Sequence, residues 1–168
     1  MPLKTPERLL VKALKPATSY GEGRKGKAPR FVVIHVTQAM KLSSTDNWFT
    51  HPNCPVSAHY GIDRDGTVHQ YVSEKNTAYH AGNIVMNRES IGIEHAGLSG
   101  TAFTKEQVQV SAQLTARICR GYGIPIDNII PHGSIKGTTH TGCPGPTWDM
   151  PAYKKLVQHY INEYNSKG

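Results

Sequence analysis

Five stretches of the chain carry strand patterns. Residues 31–36, Phe-Val-Val-Ile-His-Val, form a short apolar run rich in β-branched residues. Such a run suits a strand buried on both faces of an α/β sheet. Residues 56–62 and 67–72 are two further strand-like segments joined by Asp63-Arg64-Asp65-Gly66. Asp-Gly between such segments predicts a hairpin. Residues 90–95, Ser-Ile-Gly-Ile-Glu-His, read as another short strand, and residues 124–130 contain an edge strand.

Four stretches carry helical patterns. Leu9, Leu10, Ala13 and Leu14 recur at helical spacing behind Thr5-Pro6-Glu7, with Lys12 and Lys15 between them, which predicts a short basic amphipathic helix. Residues 43–50 read as a short helix with a polar start. Thr104-Lys105-Glu106-Gln107 is a capping-box pattern. It opens a helix carrying Val108, Ala112, Leu114 or Thr115, and Ile118, which ends at Gly121 or Gly123. A last helix starts near Trp148, with Leu156, Val157, Tyr160 and Ile161 as its apolar stripe. Residues 21–29, rich in Gly and Lys, read as a flexible linker, and residues 77–83 are too irregular to assign.

Composition narrows the class. A chain of 168 residues, 38% hydrophobic and 18% charged, fits one globular domain. No apolar run is long enough to span a membrane, and the N-terminus lacks the apolar region of a signal peptide. The net charge of +7 is lopsided: residues 1–30 hold eight basic and two acidic side chains, the remainder eleven and ten. The expected organisation is therefore a basic arm and linker over residues 1–28 and one domain over 29–168. Such an arm is expected to meet a polyanion.

The reactive residues concentrate in the stretch 132–148. It holds His132, His140, Thr141 and Cys143 among Gly, Thr and Pro, with little apolar material to bury them. Three cysteines make no disulfide framework. Cys119 lies in a helical pattern and reads as a small buried side chain, Cys54 as a spare loop thiol, and Cys143 has neighbours that point to metal chemistry. Hydrolytic zinc sites use three protein donors and leave a position for water. His132 and Cys143, joined by a flexible loop, supply two. His35, at a strand end, is the natural third, although His59 and His80 compete. A carboxylate is needed to move protons, and Glu94, following the apolar pair of its strand, is the best placed. Thr141 and His140 are the candidates for steadying a developing oxyanion. His69 is expected on the surface.

Taken together, the motifs resemble the type 2 N-acetylmuramoyl-L-alanine amidases, the superfamily of phage amidase endolysins and peptidoglycan recognition proteins. The matching segments are Phe31-Val-Val-Ile-His35, Val56-Ser-Ala-His59-Tyr60, Asp65-Gly-Thr-Val68, Tyr79-His-Ala-Gly-Asn83, Ser90-Ile-Gly-Ile-Glu94, and Pro131-His132 followed by His140-Thr-Gly-Cys-Pro-Gly-Pro-Thr-Trp-Asp149. They occur in the family's order over residues 29–165.

The resemblance implies a three-layer α/β/α domain around a mixed sheet, with one zinc ion held by His35, His132 and Cys143. It implies hydrolysis of the amide between N-acetylmuramic acid and the L-alanine of the stem peptide. Glu94 falls on the catalytic carboxylate and Thr141 near the oxyanion. His59, His80, Asn83 and Trp148 match segments that line the substrate groove. Two sites depart from relatives: Ala58 stands where some carry a tyrosine, and Cys143 with its neighbour Gly142 stands where many carry aspartate as the third ligand or just before it.

The expected role is a wall-lytic endolysin, with a recycling amidase on soluble muropeptides and a non-catalytic peptidoglycan receptor as the alternatives. The expected partners are peptidoglycan and, through residues 1–28, anionic envelope polymers or lipopolysaccharide. No nucleic acid is expected, and the chain is expected to be a monomer. An endolysin without a signal peptide would sit in the host cytoplasm before release to the periplasm or wall; one that had lost such a peptide would be extracellular.

Overall fold

The computed structural model describes residues 10–167. Six strands form one sheet: β1 (Val11–Leu14), β2 (Phe31–Val36), β3 (Tyr60–Ile62), β4 (Val68–Gln70), β5 (Ser90–His95) and β6 (Ile129–Pro131). Their order is β1-β4-β3-β5-β2-β6. Only the β3–β4 hairpin is antiparallel, so the sheet is mixed. The helices are α1 (Leu42–Phe49), α2 (Ile84–Arg88), α3 (Lys105–Tyr122) and α4 (Met150–Lys167). Among the described residues no helix is long and apolar enough to cross a membrane.

Strand periodicity sorts side chains onto two faces. Val32, Ile34, Ile91, Ile93, Tyr60 and Ile62 form the main core with Leu114, Ile118, Tyr153 and Val157 of α3 and α4. The intervening positions, Val33, His35, Gly61, Gly92 and Glu94, belong to the opposite face. That face is covered more thinly. Val33 packs with Ala81 and Ile135, and Phe49 packs with Cys54, Ala58, Tyr71 and Ala78. The result is the expected α/β/α layering, with the reactive residues on the side away from the two long helices.

Most predicted elements appear. Thr104 Oγ1 accepts from Gln107 N at 3.1 Å, and Gly123 closes α3 in the left-handed region at φ 69°. The Gln107 side chain does not complete the capping box. Its Nε2 donates to the carbonyls of Ile62 and Ala96, tying α3 to the sheet. Cys119 is buried as expected, but Cys54 is buried too and donates to the Val56 carbonyl, so it is not a loose thiol. His69 is partly buried, its Nδ1 3.0 Å from Asp46 of α1. The short helix α2 was not anticipated.

The N-terminal segment differs most from expectation. The proposed start at Thr5-Pro6-Glu7 lies outside the described residues. Residues 11–14 form no helix; they add parallel strand β1 to β4, and Lys15 N and Ala17 N extend the ladder to Gln70 and Tyr71. Without β1, β4 would leave its backbone groups unpaired at the sheet edge, and that tertiary demand outweighs a four-residue apolar spacing. The glycine-rich stretch is equally anchored. Gly21 and Thr77 exchange backbone hydrogen bonds at 2.8 and 2.9 Å.

Arg24 is buried and donates to the carbonyls of Glu74, Arg88 and Ser90 at 2.8–2.9 Å; its Nη2 lies 3.1 Å from His59 Nε2. One of the basic charges counted toward a polyanion-binding arm is thus used inside the domain. Replacing it leaves the buried carbonyls of Glu74 and Ser90 and the partly buried carbonyl of Arg88 short of a donor. Arg24→Met is expected to lower unfolding free energy by about 3 kcal/mol in urea titrations. A loss under about 1 kcal/mol would mean the segment is only draped on the surface.

His59 and His95 have no exposed surface, and burial pushes both pKa values down from 6.5 to about 4. The His59 value falls further beside Arg24, while bonds to the Asn76 and His35 carbonyls oppose the two shifts. Between pH 4 and 6.5 the unfolded chain binds protons that the folded one refuses, so stability falls as pH drops through that window and is level above it. The expected loss is on the order of 3 kcal/mol per histidine. Glu94, raised to about 8, works in the opposite direction over this window, so urea midpoints are measured from pH 7.5 to 4.5 in a Glu94→Gln background, where they should decline; a flat series there would refute the assignment.

Candidate active site

Parallel pairing of β2 with β5 sets His35 beside Glu94. Both project to the thinly covered face, and His35 Nδ1 lies 3.8 Å from Glu94 Oε1. His132 opens a one-turn 3-10 segment directly after β6, which pairs β2 on the other side. Three parallel strands thus deliver two imidazoles and a carboxylate to one end of the sheet.

Cys143 arrives by a loop closure. Gly133 N donates to the Cys143 carbonyl at 2.9 Å, drawing residues 133 and 143 together. A Cβ on Gly133 would lie 2.2 Å from the Thr141 carbonyl oxygen, so only glycine permits this approach. Val36 N, one residue beyond His35, lies 3.4 Å from Cys143 Sγ. The donor atoms of His35, His132 and Cys143 all lie within 4.8 Å of one another.

The electrostatics of the cluster suit a cation. Burial holds His35 well below its ordinary range, helped by the neighbouring imidazoles of His80 and His132. His132 is lowered too, mainly by burial and by His140. Neutral imidazoles present lone pairs. Burial pushes the Cys143 thiol up to about 12, and the nearby Glu94 adds to this. Such a thiol does not ionise at neutral pH by itself; a bound metal ion would displace its proton. Burial raises Glu94 to about 8, and its Oε2 has no hydrogen-bond partner among the described residues. A nitrogen/sulfur donor set beside an orphaned carboxylate fits a zinc ion with an open coordination position.

The cluster floors an open cleft of about 430 Å³, whose walls include Gln38, Trp48, Val56, Tyr79 and His140. Trp48 is half exposed there. The His140 ring stacks on His132 at 5.2 Å.

Several expected site residues lie elsewhere. Thr141 is exposed and lines a separate depression with Pro131, Gly133 and Gly142, because the turn that brings Cys143 inward carries Thr141 past the cleft. His59 is fully buried and accepts from Gly92 N at 3.1 Å, which removes it from both substrate and metal. Asn83 caps α2, accepting from Val85 N and Met86 N. Trp148 packs between His95, Phe103 and Tyr153 on the helix side of the sheet. His80 does reach the cleft wall, but its ring nitrogens are engaged by His35 and Ser90. Trp48, Gly133 and Ser90 join the site without having been expected there. For Ser90 the alternation Ser90-x-Gly92-x-Glu94 is a visible signal, since small residues on one strand face mark a close neighbour; Trp48 and Gly133 carry none.

An α/β domain that gathers three soft-to-borderline donors and a raised carboxylate in an open cleft has the makings of a metallohydrolase. A family model described as N-acetylmuramoyl-L-alanine amidase matches residues 25–146. The chain belongs to this family. N-acetylmuramoyl-L-alanine amidase A of Achromobacter lyticus is 30% identical over 163 residues, spanning 84% of this chain and 90% of that protein. The 1,6-anhydro-N-acetylmuramyl-L-alanine amidase AmpD of Salmonella typhimurium strain SL1344 is 39% identical over 108 residues. That match spans 61% of this chain and 57% of AmpD's length. The crystal structure of a selenomethionine derivative of AmpD superposes with a TM-score of 0.78 at 28% identity, covering 88% of this chain and 94% of that one.

Loop closure at Gly133 is expected to be required for the donor cluster. Gly133→Ala should retain its circular dichroism spectrum yet lose stoichiometric zinc in elemental analysis. Full zinc content in that variant would show that Cys143 reaches the cluster by another route.

Proposed function

We propose that the chain is a zinc-dependent hydrolase of the amide between N-acetylmuramic acid and the L-alanine of the stem peptide. The observation that carries this reading is the gathering of His35, His132, Cys143 and Glu94 in one open cleft of an amidase-family domain. His35, His132 and Cys143 would hold the ion. Zinc in such a site lowers the pKa of water and polarises the scissile carbonyl. Glu94, whose pKa burial raises and a bound cation would lower again, would accept the proton of the attacking water and return it to the departing amine nitrogen. His140 replaces Thr141 as the group proposed to face the developing oxyanion, because it lines the cleft and Thr141 does not. A receptor that only binds the wall has no use for the thiol donor or for an orphaned buried carboxylate.

The likeness to AmpD, named for a 1,6-anhydro-N-acetylmuramyl-L-alanine bond, favours soluble muropeptides over intact wall as the substrate. The lytic reading predicts the opposite preference. Rates on purified sacculi and on soluble anhydromuropeptides compare the two directly. A preference of about tenfold or more in kcat/KM for the soluble fragments supports recycling, and faster solubilisation of sacculi supports lysis.

Cys143→Ser is expected to lose zinc and activity together. Glu94→Gln is expected to keep zinc and lose activity by about 10²–10⁴-fold. His140→Ala should cost about 10²-fold in kcat, whereas Thr141→Ala should stay within about twofold of the parent. A fully active Glu94→Gln enzyme, or a crippled Thr141→Ala enzyme, would overturn these roles.

A further inference from the structure

The donor His35 is met on its far side by a second buried imidazole. His80 Nδ1 lies 2.8 Å from His35 Nε2, and His80 Nε2 lies 3.0 Å from Ser90 Oγ. The two rings meet edge-on, with centroids 5.0 Å apart. The surroundings are shaped for this row. A Cβ on Gly92 would stand 2.6 Å from the His80 ring, so glycine lets the imidazole lie against the strand. The backbone of His80 and Ala81 is pinned by Asn87 Oδ1, which accepts from both amides at 3.1 and 2.8 Å. The strand at Ser90 is held from below by Arg24, which donates to its carbonyl.

We infer that His80 is a positioning residue: it orients the His35 ring and selects the tautomer in which Nδ1 carries the lone pair. The inference rests on the zinc reading given above. A neutral imidazole has one N–H and one lone pair. If His35 Nε2 carries the hydrogen and donates to His80 Nδ1, then His35 Nδ1 is the free donor atom, and it is this atom that faces Glu94. His80 then carries its own hydrogen on Nε2 and donates it to Ser90 Oγ. The Ser90 hydroxyl can accept or donate, so the His80 ring is satisfied in either direction; only this direction leaves a lone pair on His35 Nδ1 for a cation. The opposite assignment points an N–H at the donor cluster, where a cation could not be bound. Ligand histidines are generally steadied by a carboxylate or a carbonyl. Here a neutral ring does so, which fixes orientation and tautomer without adding negative charge behind the ligand.

The test is metal affinity, read by competition with a chromophoric chelator for Zn²⁺ and Co²⁺, together with the visible spectrum of the Co²⁺-loaded protein. His80→Leu fills the space without accepting a hydrogen bond. It is expected to weaken binding about 10–100-fold and to shift the Co²⁺ bands. His80→Asn places an amide oxygen close to the position of Nδ1 and is expected to recover most of the affinity and the parental spectrum. A mere space-filling role predicts the reverse order, with Leu the better substitute. Leu binding as tightly as the parent, or Asn binding no better than Leu, overturns the inference. If His80→Leu does not fold, Ser90→Ala decides. It should weaken binding by about tenfold, and unchanged affinity refutes the row. Failure of the parent chain to bind either metal would overturn the zinc reading itself, and the role of His80 with it.

Discussion

The register between β2 and β5 is the constraint on which the site depends. It places His35 opposite Glu94 on adjacent parallel strands, with both side chains on the same face. A slip of one residue would turn either one toward α3 and α4 and put an aliphatic side chain in its place. The register is held by the other face. Val32, Ile34, Ile91 and Ile93 are fully buried in the main core, and a slipped register would carry His35 or Glu94 into it. The apolar half of the sheet thus determines where the polar half can do chemistry.

Burying reactive groups on a sheet face costs solvation, and the surrounding polar contacts offset it. His35 is held from two sides. Its carbonyl meets His95 Nδ1 at 2.9 Å, and His95 continues to Ser111 and Tyr153 in the layer of long helices. On the other side the His35 ring meets His80 and then Ser90, whose carbonyl is anchored by Arg24. Glu94 Oε2 is different: it is buried and has no partner among the described residues. Burial without a partner raises its pKa to about 8.

Misplaced sequence assignments share a cause. His59, His80, Asn83 and Trp148 all stand in segments matching groove-lining motifs, yet only His80 reaches the cleft wall. A motif reports that a residue is needed, not which neighbour needs it. His59 serves the backbone of Gly92, Asn83 serves the amides of α2, and Trp148 serves the aromatic packing around His95. Thr141 and His140 are adjacent in sequence, but the turn toward Cys143 sends them to different depressions. Composition reports charge without reporting burial, and within the basic segment Arg24 is inside.

The layered architecture was implied by the family resemblance; local pattern was sufficient for the five expected strands within a few residues, the edge strand near residue 130 among them, and for the two long helices with the caps of α3. Those features follow from periodicity and backbone hydrogen bonding over a few residues, which are local properties. The identities of His35, His132, Cys143 and Glu94 were also legible, because strand ends and a glycine-rich loop are where such side chains can converge. The grouping of His35, His132 and Cys143 was expected as well, but the geometry that achieves it was not. It depends on parallel pairing across some hundred residues and on one glycine that lets Thr141 and Cys143 fold back against residue 133. The same holds for β1, whose residues favoured a helix alone and became a strand because β4 had an open edge. Long-range pairing decides such matters because its energy comes from contacts that no local window contains.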